Sequence, residues 1–261
     1  MDDIELLVDA AREAGRIGLQ YFKRAPEVWT KGQDSPVSEA DLAIDRFLCD
    51  HLLSARPDYG WLSEETEDDR ARLSKQRVFV VDPIDGTRGF IAETPNWTIS
   101  IAIVEAGRPI AGVLFGPVLE KLYVAEKGHG TVLNGEPIAS LNHSDLALGE
   151  YAIPARVANS VQERLKTKMT RAPHIHSLAY RFALVAEGGL SGAIARPSAH
   201  DWDLAAADII LTEANAALLT LTGQAPTYNR DTTRHDWLIA SGHALQSPLK
   251  NEVLGAIESE E

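Results

Sequence analysis

The sequence predicts a mixed α/β chain, an α+β half followed by an alternating α/β layer. Three observations predict it. Two long segments near the start carry apolar residues at gaps of three and four. A run of short, β-branched, apolar segments separated by Gly and Pro turns comes next. From about residue 150, helix-type and strand-type patterns alternate.

Each element follows from local chemistry. In residues 2–24, Ile4, Leu7, Val8, Ala11, Ala14, Ile17, Tyr21 and Phe22 form one apolar stripe, so the segment predicts an amphipathic helix ending near Pro26. Lys31 to Pro36 is polar and reads as a loop. A second helix is expected from Ser38 or Glu39 to about Arg56, capped by Ser38 and burying Leu42, Ile44, Phe47, Leu48, Leu52 and Leu53. Strands are expected at 59–63, 78–81, 97–104, 110–115 and 121–125, the third with Trp97, Ile99, Ile101 and Ile103 on one face. The later strands form an antiparallel meander, closed by the Gly-rich stretch 128–135. Helices at 155–168, 177–187 and 203–214 then alternate with strands at 191–195, 217–220 and 237–240, before a last helix. The organisation expected is two closely packed subdomains, 1–145 and 146–261.

Composition narrows the function. The 261 residues, 44% hydrophobic and 24% charged, are those of an ordinary globular protein. A formal net charge of −13 disfavours nonspecific binding to nucleic acid or to an anionic membrane. Cys49 is the single cysteine, which excludes a disulfide framework and a cysteine-rich zinc site and reads as a small core residue. An acidic start and the lack of a long apolar run point to the cytoplasm as the working compartment. The charge poses a problem of its own, because so acidic a protein repels an anionic substrate unless a cation mediates the contact.

Chemistry concentrates in three segments. Phe79 to Thr87 runs an apolar strand into Asp82 and Asp85, with Pro83 between them, then Gly86 and the Thr87 hydroxyl. Gly86 permits close backbone approach, and N–H groups at a helix start there suit a phosphate. The same segment also reads as a strand-ending Asp-Pro turn. Ser63-Glu64-Glu65-Thr66 follows another apolar run, where neighbouring acids are commonly just solvated. His200 to Asp208 places Asp203 at the start of an Ala-rich helix, where an Asp commonly serves as a cap. If the fold brings Glu64, Asp82, Asp85 and Asp203 together, the result is an all-oxygen site of the kind that takes Mg²⁺. Without a cation the clustered acids would raise one another's pKa values. With one, the acidic pocket becomes attractive to phosphate.

In this order, Ser35-Pro36-Val37-Ser38-Glu39-Ala40-Asp41, Ser63-Glu64-Glu65-Thr66, Asp82-Pro83-Ile84-Asp85-Gly86-Thr87 and Trp202-Asp203-Leu204-Ala205-Ala206 resemble the inositol monophosphatase superfamily of metal-dependent phosphatases. Gly128-His129-Gly130, Asn134-Gly135 and Val185-Ala186-Glu187-Gly188 extend the likeness along nearly the whole chain. The resemblance implies a layered α-β-α-β-α sandwich, a homodimer, and two or three Mg²⁺ ions with lithium sensitivity. It implies Glu64, Asp82 and the Ile84 carbonyl as ligands of one ion, and Asp82, Asp85 and Asp203 as ligands of another. Asp41 would hydrogen-bond Thr87 so that the pair orients an attacking water, and Gly86 and Thr87 N–H groups would grip the phosphate. Together with Glu64, Asp41 and Thr87 make the implied catalytic set.

The expected substrate is a small phosphorylated metabolite. Lys31 and Asp34 to Asp41, with Arg196 seven residues before Asp203, look most like the 3′(2′),5′-bisphosphate nucleotidase branch (the CysQ type). A cation at 196 suits a second phosphate, although it also reads as a surface arginine. Arg88-Gly89-Phe90 resembles the histidinol-phosphatase relatives, and inositol 1-phosphate stays open. His176-Ser177 replaces the family's usual Gly-Ser, and Glu213 to Ala216 lacks its glycine pair. His174, His176 and His200 fall near the expected mouth, where lone histidines are commonly structural. A non-catalytic binding protein on the same scaffold is the rival from another class. The intact acids and Thr87 argue against it.

Overall fold

The computed structural model describes residues 1–31, 35–165 and 169–258. Helix α1 (Asp3–Tyr21) begins at a reciprocal cap. The Asp2 carboxylate accepts from the Glu5 N–H at 2.8 Å, and the Asp2 N–H donates to the Glu5 carboxylate at 3.2 Å. Its buried stripe includes Leu7, Ala11, Gly15 and Gly18. A Cβ at Gly15 would come within 2.5 Å of the Phe115 ring, so glycine lets this helix lie directly on the sheet. The hairpin β1 (Val28–Lys31) and β2 (Ser35–Ser38) follows, where a polar loop was expected. Gly32, Gln33 and Asp34 lie outside the described residues, and with them the Asp34 part of the nucleotidase likeness.

Helix α2 (Glu39–Ala55) buries Ile44, Leu48 and Leu52 as expected. Leu42 is exposed instead, and Phe47 and Leu53 are half-buried, because only the stripe facing α1 and the sheet is covered.

Seven strands form the first sheet in chain order: β3 (Gly60–Ser63), β4 (Arg77–Asp85), β5 (Thr98–Glu105), β6 (Arg108–Gly116), β7 (Lys121–Glu126), β8 (Gly130–Leu133) and β9 (Glu136–Ile138). β3 pairs parallel with β4, and the rest is an antiparallel meander. The short helix α3 (Thr87–Ile91) sits between β4 and β5. The second sheet has the order β11-β10-β12-β14-β13, from β10 (Glu150–Ala152), β11 (Thr170–Arg171), β12 (Gly192–Ala195), β13 (Ala216–Thr220) and β14 (Leu238–Gly242). β10 and β11 went unpredicted, being three and two residues long with too few side chains to show a period. Four helices belong to this half: α4 (Ala155–Leu165), α5 (Leu178–Ala186), α6 (Asp201–Glu213) and α7 (His243–Glu258).

Side-chain alternation sets the layers. On β4, Phe79 and Val81 face α1 and α2, while Val78 and Val80 face α5 and α6. Ile99, Ile101 and Ile103 on β5 share the first core with Trp97, and Ala102 and Val104 belong to the second. Ala193 and Ala195 of β12 close that second core from the other sheet, whereas Ile194 turns outward to α4 and α7. The architecture is thus the layered α-β-α-β-α sandwich, with α5 and α6 between the sheets. No helix among the described residues is long and apolar enough to cross a membrane.

Candidate active site

Strand β4 is buried from Val78 onward and delivers Asp82 and Asp85 at its end. The register against β5 shifts between these two residues, and the Ile84 N–H turns back to the Asp82 carboxylate at 3.0 Å. Gly86 follows at φ +96°, and a Cβ there would press on the Ser177 backbone nitrogen at 3.0 Å, so both conformation and space require glycine. The chain then enters α3, putting Thr87 in its first turn. The Thr87 hydroxyl lies 3.1 Å from Asp41 Oδ1 and 3.1 Å from the Ile84 carbonyl, with one proton to share between them. Asp41 is itself fixed, accepting the Ser38 N–H at 2.8 Å and the Ser38 hydroxyl at 2.6 Å.

Asp85 is held by the start of α5. The Ser177 hydroxyl donates to it, as do the Leu178 N–H at 3.1 Å and the Ala179 N–H at 2.8 Å. That cap replaces water around a buried carboxylate with oriented dipoles. Asp203 stands in the first turn of α6 and accepts the His200 N–H at 2.6 Å. Glu64 follows β3, with its N–H on the Val81 carbonyl at 3.3 Å. Carboxylate oxygens of Asp82, Asp85 and Asp203 all lie within 4.8 Å of one another. Glu64, Ile84, Gly86 and Thr87 line the same pocket of about 220 Å³.

Position of α6 depends on a buried guanidinium far from it in sequence. Arg72 donates to the Asp68 carboxylate at 2.8 and 3.0 Å, to Asn229 Oδ1 at 2.6 Å and to the Arg230 carbonyl at 3.1 Å. The Asn229 N–H reaches the Asp201 carboxylate at 2.8 Å, and His235 Nε2 sits 2.6 Å from its other oxygen. One network therefore ties the loop after Glu64 to the turn that carries Asp203.

Electrostatics show what chemistry suits this pocket. Burial pushes the Asp82 carboxyl well above the usual carboxylate range, and the charges of Glu64, Asp85, Asp203 and Asp41 add to it. Burial also raises Asp85, with the Ser177, Ala179 and Leu178 hydrogen bonds opposing. Asp203 is pushed up to about 7, by burial first and then by Asp85. A divalent cation relieves this repulsion, and the donors are hard oxygens, so the residues present fit such an ion.

Comparison with known proteins decides the family. The inositol monophosphatase family model matches residues 2–259. The chain belongs to the inositol monophosphatase family. It is 30% identical to the 3′(2′),5′-bisphosphate nucleotidase CysQ of Aggregatibacter actinomycetemcomitans, over 86% of each chain. It is 36% identical to the histidinol-phosphatase of Chlorobaculum parvum, over 52% of each. The solved inositol monophosphatase of Thermotoga maritima superposes with a TM-score of 0.86 at 26% identity, covering 99% of both chains. The family's chemistry is metal-dependent phosphoric monoester hydrolysis, and this member is a phosphatase of that class.

Next to the family's acidic pocket lies a second, larger cavity of about 930 Å³, and Leu178 lines both. Arg196, expected near the substrate, is exposed on its wall. With it stand Arg156, Arg171, Arg181, His174 and Trp237, and among the described residues no carboxylate lines this cavity. His176 lines the acidic pocket and packs edge-to-face on His174, ring centroids 4.5 Å apart. His200 stacks on Trp202 and bonds the Thr233 hydroxyl, with its pKa lowered to about 4, mainly by burial. Cys49 is half-buried rather than core, and burial raises its thiol pKa.

Sequence reasoning passed over Arg181, Arg171, Arg156 and Arg72, and it singled out Ser177 only as part of a departure from the family pattern, without its bond to Asp85. Ser177 offered one signal, a small polar residue directly before an apolar helix. The arginines offered none.

Proposed function

We propose that this phosphatase removes the 3′(2′)-phosphate from a nucleoside 3′(2′),5′-bisphosphate with Mg²⁺ as cofactor. The observation that supports this reading is the arginine-lined cavity adjoining the carboxylate pocket in so acidic a chain. A substrate with one phosphate at the acids and a second among the arginines matches both walls. The nucleotidase relative is similar over most of its length.

In this reading Glu64, Asp82 and the Ile84 carbonyl hold one Mg²⁺, and Asp82, Asp85 and Asp203 hold a second. The bound ions neutralise phosphate charge and make water acidic enough to serve as nucleophile at neutral pH. The chain's own groups do the positioning. With its proton directed at Asp41, the Thr87 oxygen is free to accept a hydrogen bond from the attacking water, and as the water's proton moves to Thr87 the Thr87 proton passes to the Asp41 carboxylate. Gly86 and Thr87 N–H groups at the start of α3 face the phosphate, and Glu64 offers a carboxylate on the same wall. Arg196 pairs with the distal phosphate.

Phosphate release from adenosine 3′,5′-bisphosphate, inositol 1-phosphate and histidinol phosphate, each with and without Mg²⁺, tests this. Mg²⁺-dependent preference for the bisphosphate is expected. Preference for either monophosphate would overturn the substrate assignment, and equal release without divalent ions would overturn the metal assignment. Histidinol phosphate belongs in the comparison because Arg88 lines the acidic pocket, within the segment that resembles histidinol-phosphatases.

A further inference from the structure

Of the pocket's carboxylates, Glu64 has the least regular structure beneath it. Asp82 and Asp85 stand on β4 and Asp203 stands in α6, whereas Glu64 is the first residue beyond β3, in a bend at 64–66. A carboxylate on a bend keeps one position only if other contacts hold the bend, because a loose residue loses backbone entropy on being fixed.

A carboxylate that the mechanism leaves unused supplies those contacts. Asp45, buried on α2, accepts the Ser63 hydroxyl on one oxygen and the Thr66 hydroxyl on the other, the latter at 2.7 Å. The two hydroxyls bracket Glu64 in the chain. Each of them also accepts an N–H at 3.3 Å, Ser63 from the Glu65 backbone and Thr66 from the Trp61 indole. Those N–H groups can only donate, so both hydroxyl protons are left for Asp45. Accepting two protons on two separate oxygens is what an ionised carboxylate does and an amide cannot. From the strand side, the Glu64 N–H reaches the carbonyl of Val81, the residue directly before Asp82.

The place of Asp45 on its helix matters as well. It lies one turn after Asp41, whose carboxylate meets the Thr87 hydroxyl. Ile44 and Leu48 are fully buried and seat α2 in the first core. One helix therefore sets both the bend that carries Glu64 and the hydroxyl of Thr87. Asp45 itself does not line the acidic pocket.

We propose that Asp45 is a positioning residue for Mg²⁺, holding the Glu64 carboxylate at the pocket by fixing Ser63 and Thr66. The inference rests on Glu64 as a metal ligand in the reading above. It makes Asp45 matter through its hydrogen bonds to the bend, and not as one more negative charge near the ion.

The test is Mg²⁺ binding to the full chain by calorimetry without substrate, beside the Mg²⁺ concentration for half-maximal rate. Asp45→Ala should weaken both by about tenfold, the scale for supports of metal ligands, and lower kcat at saturating Mg²⁺ much less. Asp45→Asn keeps one acceptor and gives the other hydroxyl a donor, so it should return to within about threefold of the parent. Thr66→Val is nearly isosteric, removes one of the two bonds, and should cost about threefold even if Asp45→Ala folds poorly. In a Glu64→Gln background, adding Asp45→Ala should change Mg²⁺ affinity by less than about twofold, because the support acts through Glu64. Unchanged affinity in both Asp45→Ala and Thr66→Val overturns the inference, whatever their melting temperatures. So does Asp45→Asn as weak as Asp45→Ala, which would make charge the cause. Normal Mg²⁺ affinity in Glu64→Gln alone overturns the metal role of Glu64, and the inference with it.

Discussion

The acidic pocket and the arginine cavity share Leu178 and are built in opposite ways. In the first, Asp82, Asp85 and Asp41 are buried and each is clasped by hydrogen-bond donors: the nearby Ile84 N–H for Asp82, the nearby Ser38 for Asp41, and the distant α5 cap for Asp85. In the second, Arg156, Arg171 and Arg196 are exposed, and the bonds that hold Arg171 and Arg181 go to backbone carbonyls. Buried like charges must be fixed in place because their geometry sets how an ion is held. Exposed guanidiniums are screened by water and can adapt to what they bind. The two regions thus differ in burial and in how their charged groups are held, and the relatives of this chain include a named nucleotidase and a named histidinol-phosphatase.

The comparison breaks most sharply at Asp85. Asp85→Asn should lower turnover by about 10²–10³-fold, the scale of losing one preorganised electrostatic group, with unchanged circular dichroism. Because the substitution removes a buried charge, metal-free Asp85→Asn should also unfold at a temperature no lower than the parent. A variant of near-normal activity would dissolve the distinction between the two regions.

On the basic side, Arg196→Gln should lower kcat/KM for adenosine 3′,5′-bisphosphate by about tenfold to a hundredfold and spare adenosine 3′-phosphate. Equal loss on both substrates would place Arg196 outside distal recognition. Ser177→Ala tests whether clasping matters in the acidic pocket. It removes the hydroxyl donor to Asp85, so the Mg²⁺ concentration for half-maximal rate should rise about tenfold, as for other supports of metal ligands. Binding of Mg²⁺ followed by calorimetry should weaken in parallel.

Asp208 sharpens the contrast with the smallest effect on turnover. It is a buried acid of α6 in neither region, held by the Tyr228 hydroxyl at 3.0 Å, and burial pushes its pKa up to about 7. The unfolded chain ionises this group near pH 4 while the native state keeps its proton to about 7. Its contribution to stability is therefore lost as pH rises through that window. Asp208→Asn should gain thermal stability relative to the parent between pH 5 and 8, converge with it below about pH 4, and keep activity within about twofold. A flat difference across pH would mean that Asp208 does not titrate in the native protein.

By itself the sequence determined the order and type of nearly every long element, because apolar periods of 3.6 and 2 are local signals. It also determined the acid set. Asp82, Asp85, Gly86 and Thr87 sit in one continuous strand-turn-helix, and Ser38 marks the helix that presents Asp41. The tertiary structure alone decided the rest. The β1–β2 hairpin hides in a polar stretch, and β10 and β11 exist through pairing rather than propensity. Leu42 shows that periodicity marks a face without saying how much of it a neighbour covers. Arg72 and Asn229 meet across most of the chain, and the cavity's arginines come from four separate elements. Convergence of that kind leaves no spacing to read, since charged side chains on different elements are brought together by packing and not by any local period.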